Sequence, residues 1–200
     1  MLFPIVPIRT ICTKIVYLLL IFPGACNSYL RLNPNAIMYN FDDGAQDWRV
    51  EGNSITGAVT NPKFDSNKGN LGGCLVVVDD APSLWFFSAP AELVKKMASC
   101  YGKAFMFDIK VSSADQRGNT IILQGDKIQL TYSAANAPGP TWTTYYVKLD
   151  ETGPWFKNAS ATIATKAEVQ EVLQSLQKVL IRGDYKGGPD TGMLDNVWVQ

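Results

Sequence analysis

The sequence contains no histidine. That absence removes the Ser-His-Asp and Cys-His catalytic arrangements and the His-containing zinc sites. It also removes the side chain best suited to moving protons near neutral pH. Carboxylate-pair and lysine chemistry survive, but no spacing in the chain promotes them, so the expectation is a protein that is not an enzyme. An excess of one charge is lacking too: Lys and Arg number 18, and so do Asp and Glu. Phosphate binding needs a clustered positive surface, so nucleic acid is not an expected partner. No internal repeat is visible. Cysteine is sparse, at four residues in 200.

A membrane-spanning run is also missing from the N-terminal segment. The apolar stretch from Ile15 to Phe22 is eight residues long, where a span needs about 20. Arg9 and Lys14 precede it, and Pro23-Gly24-Ala25-Cys26-Asn27-Ser28 follows. A basic start, a short apolar core and a small-residue end describe a secretory signal peptide over residues 1–28. A lipoprotein reading would use Cys26, but Pro23 stands where such sites want an aliphatic residue. Without residues 1–28 the chain holds 16 basic against 18 acidic residues, a formal charge of −2. The organisation read from sequence is therefore signal peptide 1–28, linker 29–38 and one domain over 39–200, with no membrane span after cleavage and a secreted, extracellular destination.

With 46% hydrophobic residues there is ample material for a core. Between Tyr39 and Leu149 short β-rich runs alternate with turn signals. Cys74 to Val78 follows a Gly-rich stretch, Ala104 to Val111 is another run, and Gly125-Asp126-Lys127 is a tight hairpin candidate. Ala134 to Pro140 cannot continue a strand, since Pro lacks the ladder donor. Glu92 to Met97 reads as a single helical turn. Thr165-Lys166-Ala167-Glu168 has capping-box spacing. Val169, Val172, Leu173, Leu176 and Leu180 then recur at helical period, which predicts a helix over Lys166 to Val179. Leu180 to Tyr185 reads as a strand, Lys186 to Gly192 as a turn-rich loop, and Leu194 to Val197 as a closing strand. Together these imply a mainly β fold, an antiparallel β-sandwich or jelly roll with one amphipathic helix near the C-terminus.

The order and wording of these pieces resemble a laminin IV type A (laminin B) domain. Trp85-Phe86-Phe87-Ser88-Ala89-Pro90 is similar to that family's aromatic strand. Ser99-Cys100-Tyr101-Gly102 with Phe105 to Asp108, Ile121 to Tyr132, Thr141 to Leu149, and the closing Leu194-Asp195-Asn196-Val197 follow in the family's order. Cys100 departs from the family's usual small or aromatic residue. The Cys-dense epidermal-growth-factor-like repeats that flank the domain in laminins are missing, which points to a small secreted protein with one such domain. The resemblance implies an extracellular interaction module that binds or organises matrix or cell-surface proteins or glycans. A carbohydrate-binding, lectin-like jelly-roll module is the alternative.

Candidate sites follow. Carbohydrate-binding modules of similar architecture hold a structural Ca²⁺ with an acid after an early Phe, loop carbonyls and an acid near the last strand. Asp42, the Asp65 to Gly69 loop and Asp195 stand in corresponding places, and hard oxygens suit Ca²⁺. Cys74 and Cys100 are either a disulfide or two buried thiols. Asn158-Ala159-Ser160 is the one Asn-x-Ser/Thr sequon, a glycosylation site at Asn158. Trp155-Phe156, after Gly153-Pro154, is the expected exposed aromatic pair for ligand binding, whereas Trp85, Trp142 and Tyr145 are expected in the core. Arg182-Gly183-Asp184 spells an integrin-binding tripeptide, but it falls where the family pattern wants a strand, so the expected role is structural.

Overall fold

The structure, a computed structural model, describes residues 36–52, 60–79, 84–115, 118–158 and 160–200. The predicted signal peptide lies outside the described residues, as does most of the linker. Two antiparallel six-stranded sheets carry the fold. The first contains β1 (Ile37–Tyr39), β3 (Lys63–Asp65), β4 (Cys74–Val78), β6 (Ala104–Val111), β9 (Thr143–Lys148) and β12 (Thr191–Val199). The second contains β2 (Arg49–Glu51), β5 (Phe86–Ser88), β7 (Ile121–Gln124), β8 (Gln129–Tyr132), β10 (Phe156–Lys157) and β11 (Lys178–Arg182). The strand order is β3-β4-β12-β6-β9, with β1 also on β12, against β10-β8-β7-β11-β5-β2. Expectation and structure agree on the antiparallel sandwich.

Period-two alternation decides which side chains meet between the sheets. Along β6, Phe105, Phe107, Ile109 and Val111 enter the core, while Met106, Asp108 and Lys110 point the other way. At the N-terminal end Tyr39, Phe41 and Trp48 pack with ring centroids 5.8 to 6.5 Å apart. Ile37 and Met38, read as linker, instead belong to β1: they pair with Val199 and Trp198. β1 ends as the chain turns at the buried Phe41, φ 50°, and Asp42 and Asp43 beyond it are exposed.

The helix α2 (Lys166–Gln174) has the expected cap: Thr165 Oγ1 accepts from the Glu168 N–H, and Glu168 accepts from the Thr165 N–H at 2.8 Å. Its buried face is Val169, Val172 and Leu173. It stops short of the predicted Val179. The chain leaves the helix at Ser175, and the Gln177 N–H bonds the Gln124 carbonyl at 2.8 Å, which begins the pairing of β11 with β7. From there the apolar period is two, with Val179 and Ile181 in the core. Leu180 is thus a strand residue, not part of the helix face. A second helix, α1 (Ala91–Met97), anchors through Leu93 and Met97 and carries a Glu92–Lys96 ion pair at 2.7 Å.

Candidate functional site

β12 changes neighbour partway along its length. Residues 191–194 pair with β4 and residues 197–199 pair with β1. The register against β6 shifts between Asp195 and Trp198, a β-bulge at which Asn196 takes φ 47°. Leu194 and Val197 both reach the core, so the intervening Asp195 points outward, yet it is fully buried. The loop before β4 covers it. Asn70 donates its backbone N–H to Asp195 Oδ2 at 2.7 Å, and Asn196 donates its own N–H to Oδ1 at 2.6 Å. Asp42 reaches the same loop: Gly73 N–H points to its Oδ1 at 3.4 Å, and Asn40 Nδ2 donates to Oδ2 at 2.6 Å. Glycine is required here. A Cβ on Gly72 would sit 2.1 Å from Asp42 Oδ1, and one on Gly69 would sit 2.8 Å from Asp195 Oδ2.

Asp108 of β6 completes the cluster, a residue the sequence reading missed although the alternation of β6 placed it outward. It accepts from Thr144 Oγ1 at 2.5 Å, Asn70 Nδ2 at 2.9 Å and Asn196 Nδ2 at 2.8 Å. Burial pushes the Asp195 carboxyl up to about 7, and the charges of Asp108 and Asp42 add to the rise. Three acidic side chains thus gather beneath one loop, each already accepting N–H or O–H donors. Asp42 and Asp195, predicted together, are therefore brought to one loop from the two ends of the domain.

The other predicted sites fare differently. Cys74 and Cys100 are free, buried thiols, which corrects the disulfide reading. Leu75 and Val77 of β4 face the core, so Cys74 faces away from it, whereas Cys100 packs inside the core. Trp155 is also a correction. It is fully buried, its Nε1 donates to the Lys148 carbonyl at 2.7 Å, and its ring lies 5.8 Å from Tyr132. Phe156 is half-buried in β10. No exposed platform exists at that pair. Trp85 and Tyr145 are core residues as expected, while Trp142 stays partly exposed beneath Lys110, 6.0 Å from its ring. Asn158 is exposed at positive φ, with Gln129 N–H on its Oδ1 at 3.0 Å. Arg182 and Asp184 of the tripeptide are only 4% and 6% exposed.

The outward side of the first sheet carries the larger surface feature. Met38 pairs with Trp198, Trp198 with Met106, and Met106 with Tyr146. Cross-strand partners share a face, so these residues form one row over β1, β12, β6 and β9, about 14 Å wide at ~4.8 Å per strand. Met38 is 52% exposed and Tyr146 50%. One register step along lie Asp108 and Thr144. Beyond them Val76, Met193 and Lys110 make a second row. The signal was the alternation within Ala104–Val111 and Thr143–Lys148, but pairing partners were needed to align it.

The fold is that of an antiparallel jelly roll. The chain belongs to the Laminin B (Domain IV) family, whose family model matches residues 86–200. Among solved structures it is similar to the L4b domain of human laminin alpha-2, with a TM-score of 0.63, 11% identity, and 82% of this chain and 96% of that chain covered. It is also similar to a domain described as CtCBM11, with a TM-score of 0.50, 14% identity, and 82% and 94% covered. Both likenesses concern the fold alone. Among curated protein sequences, none matches this chain.

Proposed function

We propose that the chain is a secreted, non-catalytic interaction module of the laminin IV type A kind, and that the outward face of its first sheet is the binding face. The observation that carries this reading is the row Met38, Trp198, Met106 and Tyr146. It lies on four neighbouring β-strands and leaves Met38 and Tyr146 half exposed to water, as interaction faces do. The partner is a matrix or cell-surface protein, because interleaved Met and aromatic residues across four strands suit a broad contact. A glycan is the second reading, favoured by Trp198 and Tyr146 lying beside the polar side chains of Asp108 and Thr144. Family membership supports the extracellular setting, and no helix among the described residues is long and apolar enough to cross a membrane.

The pocket of Asp42, Asp108 and Asp195 is, in this reading, a structural Ca²⁺ site that ties the first strand to the last. Asp42 and Asp195 would hold the ion, which would neutralise acids that otherwise repel. A binding panel of matrix proteins beside a glycan array separates the two partner readings. Each hit is repeated with Trp198→Ala and Tyr146→Ala. Binding that ignores both substitutions rejects the face. A rise in unfolding temperature with Ca²⁺ that is lost on chelation and blunted by Asp195→Ala supports the ion site; no such rise rejects it.

A further inference from the structure

A second acidic centre lies where the two sheets end together. Asp79 follows β4, Asp190 precedes β12, and Asp184 follows β11 of the opposite sheet. One carboxylate oxygen from each lies within 4.8 Å of those from the other two, and all three residues are buried. Among the described residues this is the one group of three such side chains so close. The backbone holds it in place: the Asp79 N–H donates to the Asp190 carbonyl at 2.9 Å, and the Lys186 N–H donates to Asp184 Oδ1 at 3.2 Å.

The independent observation is Asp190 itself. It is only 5% exposed, and neither carboxylate oxygen has a partner at hydrogen-bond geometry, although the Tyr185 backbone N–H lies close enough to favour its charged form. Leaving two buried acceptors unmade is costly, and each such group calls for an explanation. The nearby cations do not supply one: Lys186 acts on Asp190 through its charge but bonds neither oxygen. Arg182 spends its Nε on the Asp184 backbone carbonyl and lays its guanidinium over the Tyr185 ring, 4.9 Å from the centroid.

We propose that Asp79, Asp184 and Asp190 bind a divalent cation, Ca²⁺ by preference, which pins the ends of β4, β11 and β12 together. Mg²⁺ demands near-octahedral geometry and keeps several of its waters, whereas Ca²⁺ accepts a flexible set of carboxylate and carbonyl oxygens, so a buried protein cluster of this kind suits Ca²⁺. An all-oxygen ligand set with no histidine or thiol also suits a hard cation over zinc. The ion would satisfy the orphaned oxygens of Asp190 and neutralise three like charges. Because it joins strands of both sheets, it stabilises the sandwich without touching the outward face of the first sheet.

The test is a Ca²⁺ titration of metal-free protein by calorimetry, with unfolding temperature read in parallel. Wild type and Asp190→Asn are compared, with Asp79→Asn as a second variant and circular dichroism as the fold control. The expected result is one Ca²⁺ equivalent that weakens by roughly tenfold or more in both variants. The chelated Asp190→Asn protein should melt no lower than chelated wild type, since it loses a repulsion. Asp195→Asn should leave this equivalent in place, so loss of the Asp42–Asp195 site and loss of this one are told apart. Wild type that binds no Ca²⁺ at millimolar concentration overturns the proposal, as does Ca²⁺ binding that neither variant weakens.

Discussion

Gly183→Ala tests whether packing, rather than adhesion, requires the central residue of the Arg-Gly-Asp tripeptide. A methyl group there would sit 1.9 Å from Trp85 Cζ3 and 2.1 Å from Cη2. An ordinary carbon contact is about 3.5 Å, so the indole would have to retreat by roughly 1.6 Å. It has nowhere to go. Trp85 is fully buried, Phe87 packs edge-on at 5.1 Å, and the Gly192 backbone lies against the same ring. Overpacking of this kind costs about 1–3 kcal/mol, and the rigidity of the ring places the expected loss near 2–3. For a domain of this size that is a fall in melting temperature of roughly 4–12 °C. The backbone of Gly183 is not at positive φ, so the loss is steric. Trp85→Phe removes the colliding ring atoms and also the buried Nε1–H that lacks a partner. In that background Gly183→Ala should cost less than about 1 kcal/mol, a coupling that a double-mutant cycle measures directly by urea unfolding. Equal costs in both backgrounds, or none in either, would refute the packing account.

Three further outcomes are expected. Leu173→Asp places a charge in the buried face of α2 and should cost about 3 kcal/mol or more, read by thermal unfolding; an unchanged midpoint would mean that the helix docks by another face. Glu168 is held down to about 2 by the Lys157 ammonium and by the Thr165 cap. Its folded value lies below its ordinary 4.5, so its contribution is full above that value and is lost as pH falls towards 2. The stability gap between wild type and Glu168→Gln should therefore close over that window and stay constant above it. Protein secreted from a glycosylating host should begin between Cys26 and Tyr29 and lose mass on removal of Asn-linked glycan, with Asn158→Gln abolishing that loss; intact Met1 or an unchanged mass contradicts these readings.

What could be read from sequence was what repeats locally. The capping box of Thr165 and Glu168, the β-rich run of Ala104–Val111 and the Gly125 hairpin each depend on neighbours a few residues away, and each was found. The helix end was missed because Leu176 and Leu180 continue the helical period past Gln174, and only the bond from Gln177 to Gln124 shows that the strand pairing has begun. Trp155 was misplaced for a similar reason. A Gly-Pro flank argues for exposure, but burial follows from Lys148 and Tyr132, which the chain brings over it from a distance. Asp42 and Asp195 were paired through resemblance, not physics; the bulge at Asn196 and the switch of β12 from β4 to β1 are what make their meeting intelligible. Asp79, Asp184 and Asp190 were invisible as a group, since each carries a plain local reading as a turn or strand-end acid. The same holds for Met38, Trp198, Met106 and Tyr146, whose common row exists only through cross-strand register.

The most direct test of the binding face is the affinity of one captured partner for wild type and for the double variant Trp198→Ala/Tyr146→Ala, measured by surface plasmon resonance. Both side chains lie on the solvent side of the sheet, so the variant should keep its circular dichroism spectrum and most of its stability. The account predicts a loss of affinity of about tenfold or more, the scale of an aromatic anchor removed from an interface. A folded double variant that binds as tightly as wild type would contradict it and move the function of this domain to another surface.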